Sequence, residues 1–299
     1  HGLLRRQRQM CIRDSIVGGE TLAVTGSGTV ASQNVGTGKT VTSVNLALTN
    51  GTGTASNYSI NSLAADIAGR PVSISGSRLY DSTVTADSSI LSITSGVSGE
   101  NLTLTGSGFL GAASAGTQTI TNNNTLAIAD GTGIASNYTL IGATINVTVV
   151  PRTLNVTLSR EYDGTTSVLG SSLTPTFDSL QGGETLALTG IGSISNANVG
   201  SSKSVSLGTI ALASGTGNPS NYRLNSATMD VTQKVINLDG IRAYDATTDV
   251  LSSDINTFGN IVSGETLTIS GTGSVPDNSV EMNKVITSVS YTHLTLPTK

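Results

Sequence analysis

The sequence predicts an all-β protein written as tandem repeats. Three observations carry that expectation. Apolar and polar residues alternate with a period of two, Gly-rich breaks interrupt the alternation, and the same motifs return about every 82 residues. Four segments align: GGETLAVTGSG from Gly18, SGENLTLTGSG from Ser98, GGETLALTGIG from Gly182 and SGETLTISGTG from Ser263. Their glutamates are Glu20, Glu100, Glu184 and Glu265. A second anchor, Tyr-Asp-x-Thr, stands at Tyr80-Asp81, Tyr162-Asp163 and Tyr244-Asp245, each 82 residues from the last. A third, Ser-Asn-Tyr, supplies Asn57-Tyr58, Asn137-Tyr138 and Asn221-Tyr222.

These anchors frame a partial repeat over 16–69, complete repeats over 70–150 and 151–232, and a partial repeat over 233–289. Residues 1–15 (HGLLRRQRQMCIRDS) and 290–299 (SYTHLTLPTK) fall outside the frame and hold both histidines and Cys11. They resemble translated sequencing-adapter sequence and are expected to be non-native segments, set aside in fold reasoning.

Within a repeat the elements follow in order. The first strand alternates, as in Leu154-Asn155-Val156-Thr157-Leu158 and Val72-Ser73-Ile74-Ser75. Tyr-Asp-x-Thr then reads as a turn closed by the Asp side chain on its own backbone. In the strand after the repeat glutamate, Leu186 and Leu188 alternate with Thr185 and Thr189, as Leu102 and Leu104 do in their segment. The next segment changes phase: Val205 and Leu207 share one parity, Ile210 and Leu212 the other. That predicts a bulge near Gly208-Thr209, and near Ser43-Val44 in the first repeat. Gly51-Thr52-Gly53 and Gly131-Thr132-Gly133 read as turns. Ser-Asn-Tyr opens the last strand, with the Tyr ring expected to be buried and its hydroxyl returned to backbone, in the manner of a tyrosine corner.

No stretch shows helical periodicity with caps. Six or seven short strands in about 80 residues point to a small, immunoglobulin-like β-sandwich per repeat. β-Grasp-like units are an alternative if one segment is helical. A β-solenoid is another, but its coils would return at roughly 20–30 residues, and no such sub-period is present.

Composition narrows function. Charged residues make up 11 % of the chain, against roughly 25 % in ordinary domains. Residues 16–289 hold ten basic and eighteen acidic residues, which excludes a basic nucleic-acid footprint. No apolar run approaches the roughly 18 residues of a membrane span. The same stretch lacks His, Cys and Trp, so nucleophile–base pairs and most transition-metal sites lose their commonest parts. No enzyme activity, cofactor or metal is expected.

The individual motifs read as structural. One glutamate per repeat beside Gly suits a turn better than a general acid. One isolated Asp per repeat (Asp81, Asp163, Asp245) falls short of the 6–8 oxygens that calcium takes. Gly38-Lys39-Thr40 matches the end of a phosphate-binding loop, but Gln33 stands where that loop needs Gly, and a hairpin turn is expected instead. Lys39, Lys203 and Lys284, with the repeat glutamates and the Ser-Asn-Tyr asparagines, raise a Lys–Asn cross-link with an acidic proton shuttle; the second repeat has Gln118 at the Lys position. Tyr162 and Tyr222 are expected to be mostly buried, and Lys203 mostly exposed.

Taken together, Tyr162-Asp163-Gly164-Thr165, the Gly-Glu-Thr-Leu strand, the Asn-Val-Gly segment and the closing Asn-Tyr resemble the YDG-type repeats of large bacterial surface adhesins, which are filamentous-haemagglutinin-like. The resemblance covers 16–289 and departs at the Gly position, where Ser82 and Ala246 stand. It implies an extracellular, surface-held protein. The expected role is a non-enzymatic stalk segment that spaces a binding tip from the cell, its partners being the neighbouring repeats. The rival is a module whose loops bind a host or matrix glycan or protein.

Overall fold

A computed structural model describes residues 17–43, 45–286 and 288–289. The segments 1–15 and 290–299 lie outside the described residues. The chain divides into two compact units: the described residues up to Arg78 with Thr83–Val149, and Leu79–Ser82 with the described residues from Val150 onward.

The third repeat sets the pattern. Its strands are β1 (Arg152–Glu161), β2 (Ser167–Leu169), β3 (Thr176–Phe177), β4 (Leu186–Thr189), β5 (Ile191–Ile194), β6 (Gly200–Ser206), β7 (Ala211–Ser214) and β8 (Tyr222–Thr232). Six of them form one mixed sheet in the order β2-β5-β6-β8-β1-β3, while β4 and β7 pair separately as an antiparallel two-stranded ribbon. The first and last strands, β1 and β8, are parallel neighbours, and every other pairing in the repeat is antiparallel. The second repeat, over 70–150, has the same eight strands in the same order.

Alternation explains the core. Val156 and Leu158 of β1 and Ala227, Met229 and Val231 of β8 face the same interior as Val168 of β2, Ile194 of β5 and Val205 of β6. Leu188, from the two-stranded ribbon, completes the cluster, so the ribbon covers one face of the sheet. The intervening polar residues of β1 point outward in the expected burial rhythm. Burying a side chain such as Leu158 removes about 2–3 kcal/mol of unfavourable apolar exposure.

Among the described residues every helical turn is a three-residue 3-10 turn, so the β-grasp-like alternative lacks the helix it requires. Pairing the first strand of a repeat with its last closes each repeat on itself, unlike the successive coils of a solenoid.

Two local expectations are corrected. The phase change between Leu207 and Ile210 is a chain reversal rather than a bulge. β6 ends at Ser206, Gly208 takes φ +54°, and the Ile210 amide bonds the Leu207 carbonyl at 2.7 Å. Parity changes because the chain leaves the six-stranded sheet for the ribbon. The register shift in that strand lies between Gly200 and Lys203. The second corrected segment, Gly38-Lys39-Thr40, lies inside the strand Gly36–Ser43, not at a hairpin turn. Its counterpart of the Lys203 register shift falls between Gly36 and Lys39. Of the bulge expected near Ser43-Val44, Val44 lies outside the described residues.

One glycine is dictated by close approach. Gly190, between β4 and β5, has φ +82°, and a Cβ there would stand 2.0 Å from the Thr209 carbonyl oxygen. Gly26 and Gly106 repeat the geometry against Asn45 and Thr125, which accounts for the first Gly of the closing Gly-x-Gly in the first three aligned segments.

Candidate functional site

The repeat anchors converge on the glutamate. In the third repeat Tyr222 opens β8, 38 residues downstream of Glu184, and its hydroxyl donates to Glu184 Oε2 at 2.5 Å. Tyr138 donates likewise to Glu100, and Tyr58 to Glu20 at 2.6 Å. The hydroxyl proton therefore goes to a carboxylate of the same repeat, and in Tyr222 the hydroxyl also meets backbone, as expected of a tyrosine corner, by accepting the Gln181 amide. The backbone of the glutamate does close a turn, with the Glu184 amide on the Gln181 carbonyl at 2.9 Å. Its side chain does the rest. Gly217 makes room for it: a Cβ there would lie 2.9 Å from Glu184 Oε2, and Gly53 and Gly133 stand in the same relation to Glu20 and Glu100.

The other oxygen of Glu184 takes a second tyrosine. Tyr80, of the Tyr-Asp-x-Thr turn before it, donates to Glu184 Oε1 at 2.6 Å. The Tyr80 and Tyr222 rings meet edge to face, centroids 5.3 Å apart and planes at 78°, a geometry favoured by the ring quadrupoles. Asn221 bonds the Tyr80 hydroxyl. The Gln181 amide donates to the Tyr222 hydroxyl at 3.0 Å, and Arg152 Nε donates to the Tyr80 carbonyl at 3.0 Å. Tyr80 and Tyr222 are 3 % and 5 % exposed. The pattern recurs one period on, where the Tyr162 hydroxyl donates to Glu265 Oε1. Tyr162 is partly buried against the core of the third repeat, and Tyr244, the third of the series, is 65 % exposed.

Electrostatics follow from that carboxylate. Burial first, and then the bond to Glu184, push the Tyr80 phenol up to about 12. The same two causes in the same order raise Tyr222. Tyr162 and Tyr138 are raised by their bonds to Glu265 and Glu100 first and by burial second. Ionising any of them would set a phenolate beside a carboxylate.

The Tyr-Asp-x-Thr turn has its own scaffold. Asp163 Oδ1 accepts the Thr165 amide at 2.9 Å, and Asp245 Oδ1 the Thr247 amide at 2.9 Å, the expected Asx geometry. Arginines that sequence reasoning passed over complete it. Arg160 Nη1 lies 3.0 Å from Asp163 Oδ2 and donates to Thr165 Oγ1 and the Ser167 carbonyl, while Nη2 donates to the Thr165 carbonyl. Arg242 bonds Asp245 and Thr247 in the same way, and Arg78 bonds Thr83. The signal was present, for Arg78, Arg160 and Arg242 keep the 82-residue period. The third residue of the turn is left-handed in all three copies: Gly164 at φ +76°, Ser82 at +64° and Ala246 at +66°.

The cross-link constellation is not assembled. Lys203 is half-buried rather than exposed, because its ammonium is partnered: it donates to Asn196 Oδ1 at 2.6 Å and to the Asn196 carbonyl at 3.2 Å. Glu184 is held by tyrosines and Asn221 by Tyr80. Lys39 caps the Ser32 carbonyl, Lys284 bonds Asp277 and Ser279, and Gln118 does the equivalent work on Ser114. Asn137, from Ser-Asn-Tyr of the second repeat, bonds the Val35 amide at 2.9 Å and Asn34 Oδ1 at 3.0 Å, in the Asn-Val-Gly segment of the first.

The YDG domain family model matches residues 11–65 and 146–229. Of the Tyr-Asp-x-Thr turns, these stretches take in the one with Gly164 and leave out those with Ser82 and Ala246. No curated protein and no solved structure matches the chain. No helix among the described residues is long and apolar enough to cross a membrane.

Two predictions follow from this geometry. An unfolded tyrosine ionises near pH 10, whereas Tyr80 keeps its proton to about 12. Between those values the folded chain binds more protons, so stability is fully present below pH 10 and falls as pH rises to 12. Urea midpoints at stepped alkaline pH, with phenolate absorbance read in parallel, should decline in that window. The second prediction concerns the turn. Gly164→Ala should cost about 1 kcal/mol or more, and Ser82→Gly and Ala246→Gly should each stabilise by up to about 1 kcal/mol, read as opposite shifts of the urea midpoint.

Proposed function

We propose that residues 16–289 are a structural segment of a secreted, surface-held bacterial adhesin. In this reading they are a run of immunoglobulin-like repeats, each a curled sheet covered by its ribbon, that spaces a binding tip from the cell and carries no catalysis. The observation that supports it best is where each repeat spends its distinctive side chains. The glutamate that might have served as an acid or base holds tyrosine hydroxyls, and on Glu184 both oxygens are so engaged. One of those tyrosines comes from the same repeat and the other from the Tyr-Asp-x-Thr turn of the repeat before. Anchors spent on joining repeats suit a spacer. The match to the YDG domain model supports the same context by resemblance.

The loop-binding reading has one observation in its favour, since Tyr244 is an exposed aromatic on a pre-formed turn. An array of glycans and matrix proteins probed with the full chain separates the two. The spacer reading expects no saturable binding. Saturable binding that disappears in Tyr244→Ala would overturn it in favour of the module.

A further inference from the structure

The way β1 and β8 are joined determines how a repeat meets tension. The two strands pair in parallel over their whole length, from Arg152 opposite Tyr222 to Glu161 opposite Thr232, with one irregularity at Leu154/Asn155. The ladder continues past the strand ends, where the Tyr162 amide donates to the Thr232 carbonyl at 2.9 Å. Side chains add cross-ties outside the sheet's interior. Ser226 Oγ and Asn225 Nδ2 donate to Asn155 Oδ1 at 2.7 and 2.9 Å, Thr232 Oγ1 donates to the Arg160 carbonyl at 3.3 Å, and Lys234 pairs with Glu161 at 3.0 Å. On the interior face Leu158 and Met229 are almost fully buried.

Tension carried along the chain enters the repeat at Arg152 and leaves at Thr232. Because the strands are parallel, those two points lie at opposite ends of the ladder. The load therefore drags β1 and β8 past each other, and the inter-strand bonds, which cross between the strands rather than run along them, share it. No bond can break first and relieve the rest, as happens when a hairpin is peeled from its open end. The ribbon β4–β7 and the edge strands β2 and β3 lie outside this load path. The geometry points to a mechanical function: the β1–β8 pair is a shear clamp that lets a complete repeat bear tension along the chain. In the second repeat the strands 70–79 and 138–150 are sheet neighbours, and the Tyr80 amide donates to the Val150 carbonyl at 2.9 Å as Tyr162 does to Thr232. The inference stands on strand pairing alone and does not require the spacer reading.

Single-molecule stretching of the full chain tests it. Held by its ends, the chain should show high-force steps, each releasing the 81 or 82 residues of a complete repeat, about 280 Å of extended chain before the folded length is subtracted. A second geometry uses the same molecule with Cys11 replaced and handles on Thr166→Cys and Gln233→Cys. Both positions are exposed and flank the same end of the β1–β8 ladder. Pulled there, the strands peel apart one bond at a time, and the rupture force should fall several-fold at the same loading rate. An unchanged urea midpoint for the cysteine variant establishes that only the direction of force has changed. Equal forces in the two geometries, or repeat-sized steps confined to the lowest forces, would overturn the clamp.

Discussion

One carboxylate per repeat organises this protein. Glu184 sits where a turn ends and β4 begins, with Gly217 lending it space and two tyrosine hydroxyls meeting its two oxygens. Hydrogen bonds to an ionised acceptor contribute about 1.5–3 kcal/mol each, and a buried carboxylate left without them would cost more than that. At Glu184 both tyrosines can bury their polar tips because the carboxylate accepts both hydroxyls, and Glu100 and Glu265, half-buried as well, each accept one. Those bonds account for three motifs that lie far apart in sequence and keep one period.

The strand order places the partners. Because β1 and β8 run in parallel, the end of the first strand and the end of the last lie side by side, and the Tyr-Asp-x-Thr turn leaves from that end. Arg160 and Asp163 then set the turn, and its left-handed third residue aims the chain onward. Gly is suited to that position, which gives the glycine of Tyr162-Asp163-Gly164-Thr165 a conformational reason. Where Ser82 and Ala246 replace it the same backbone angle persists, held by the surrounding turn.

Much of this was legible in the sequence. Alternation located the strands, because a half-buried strand has no other way to present one apolar face; Leu154, Val156 and Leu158 show it most plainly. The shared period identified Glu184, Tyr222 and Tyr80 as anchors. What the sequence did not disclose is that they touch. A separation of 38 or 104 residues carries no local signal, and each residue taken singly fits a turn or a corner equally well. The phase change near Gly208 was seen but misassigned, since a bulge within one strand and a reversal between two sheets leave the same parity shift. Lys203 was misjudged for a related reason: its partner, Asn196, lies seven residues upstream and becomes a neighbour only through the loop that the strand closes. The arginines at 78, 160 and 242 were missed although they keep the period, because a lone Arg beside a strand reads as a solvated charge.

The central claim is that Tyr80 and Glu184 are energetically one unit, and a double-mutant cycle on the full chain tests it most directly. Stability would be measured by urea unfolding for Tyr80→Phe, Glu184→Gln and the pair. If the hydroxyl and the carboxylate depend on each other as described, the pair falls short of additivity by about 1 kcal/mol or more. Additivity within about 0.5 kcal/mol would contradict the account, leaving the shared period of the anchors without the physical cause assigned to it.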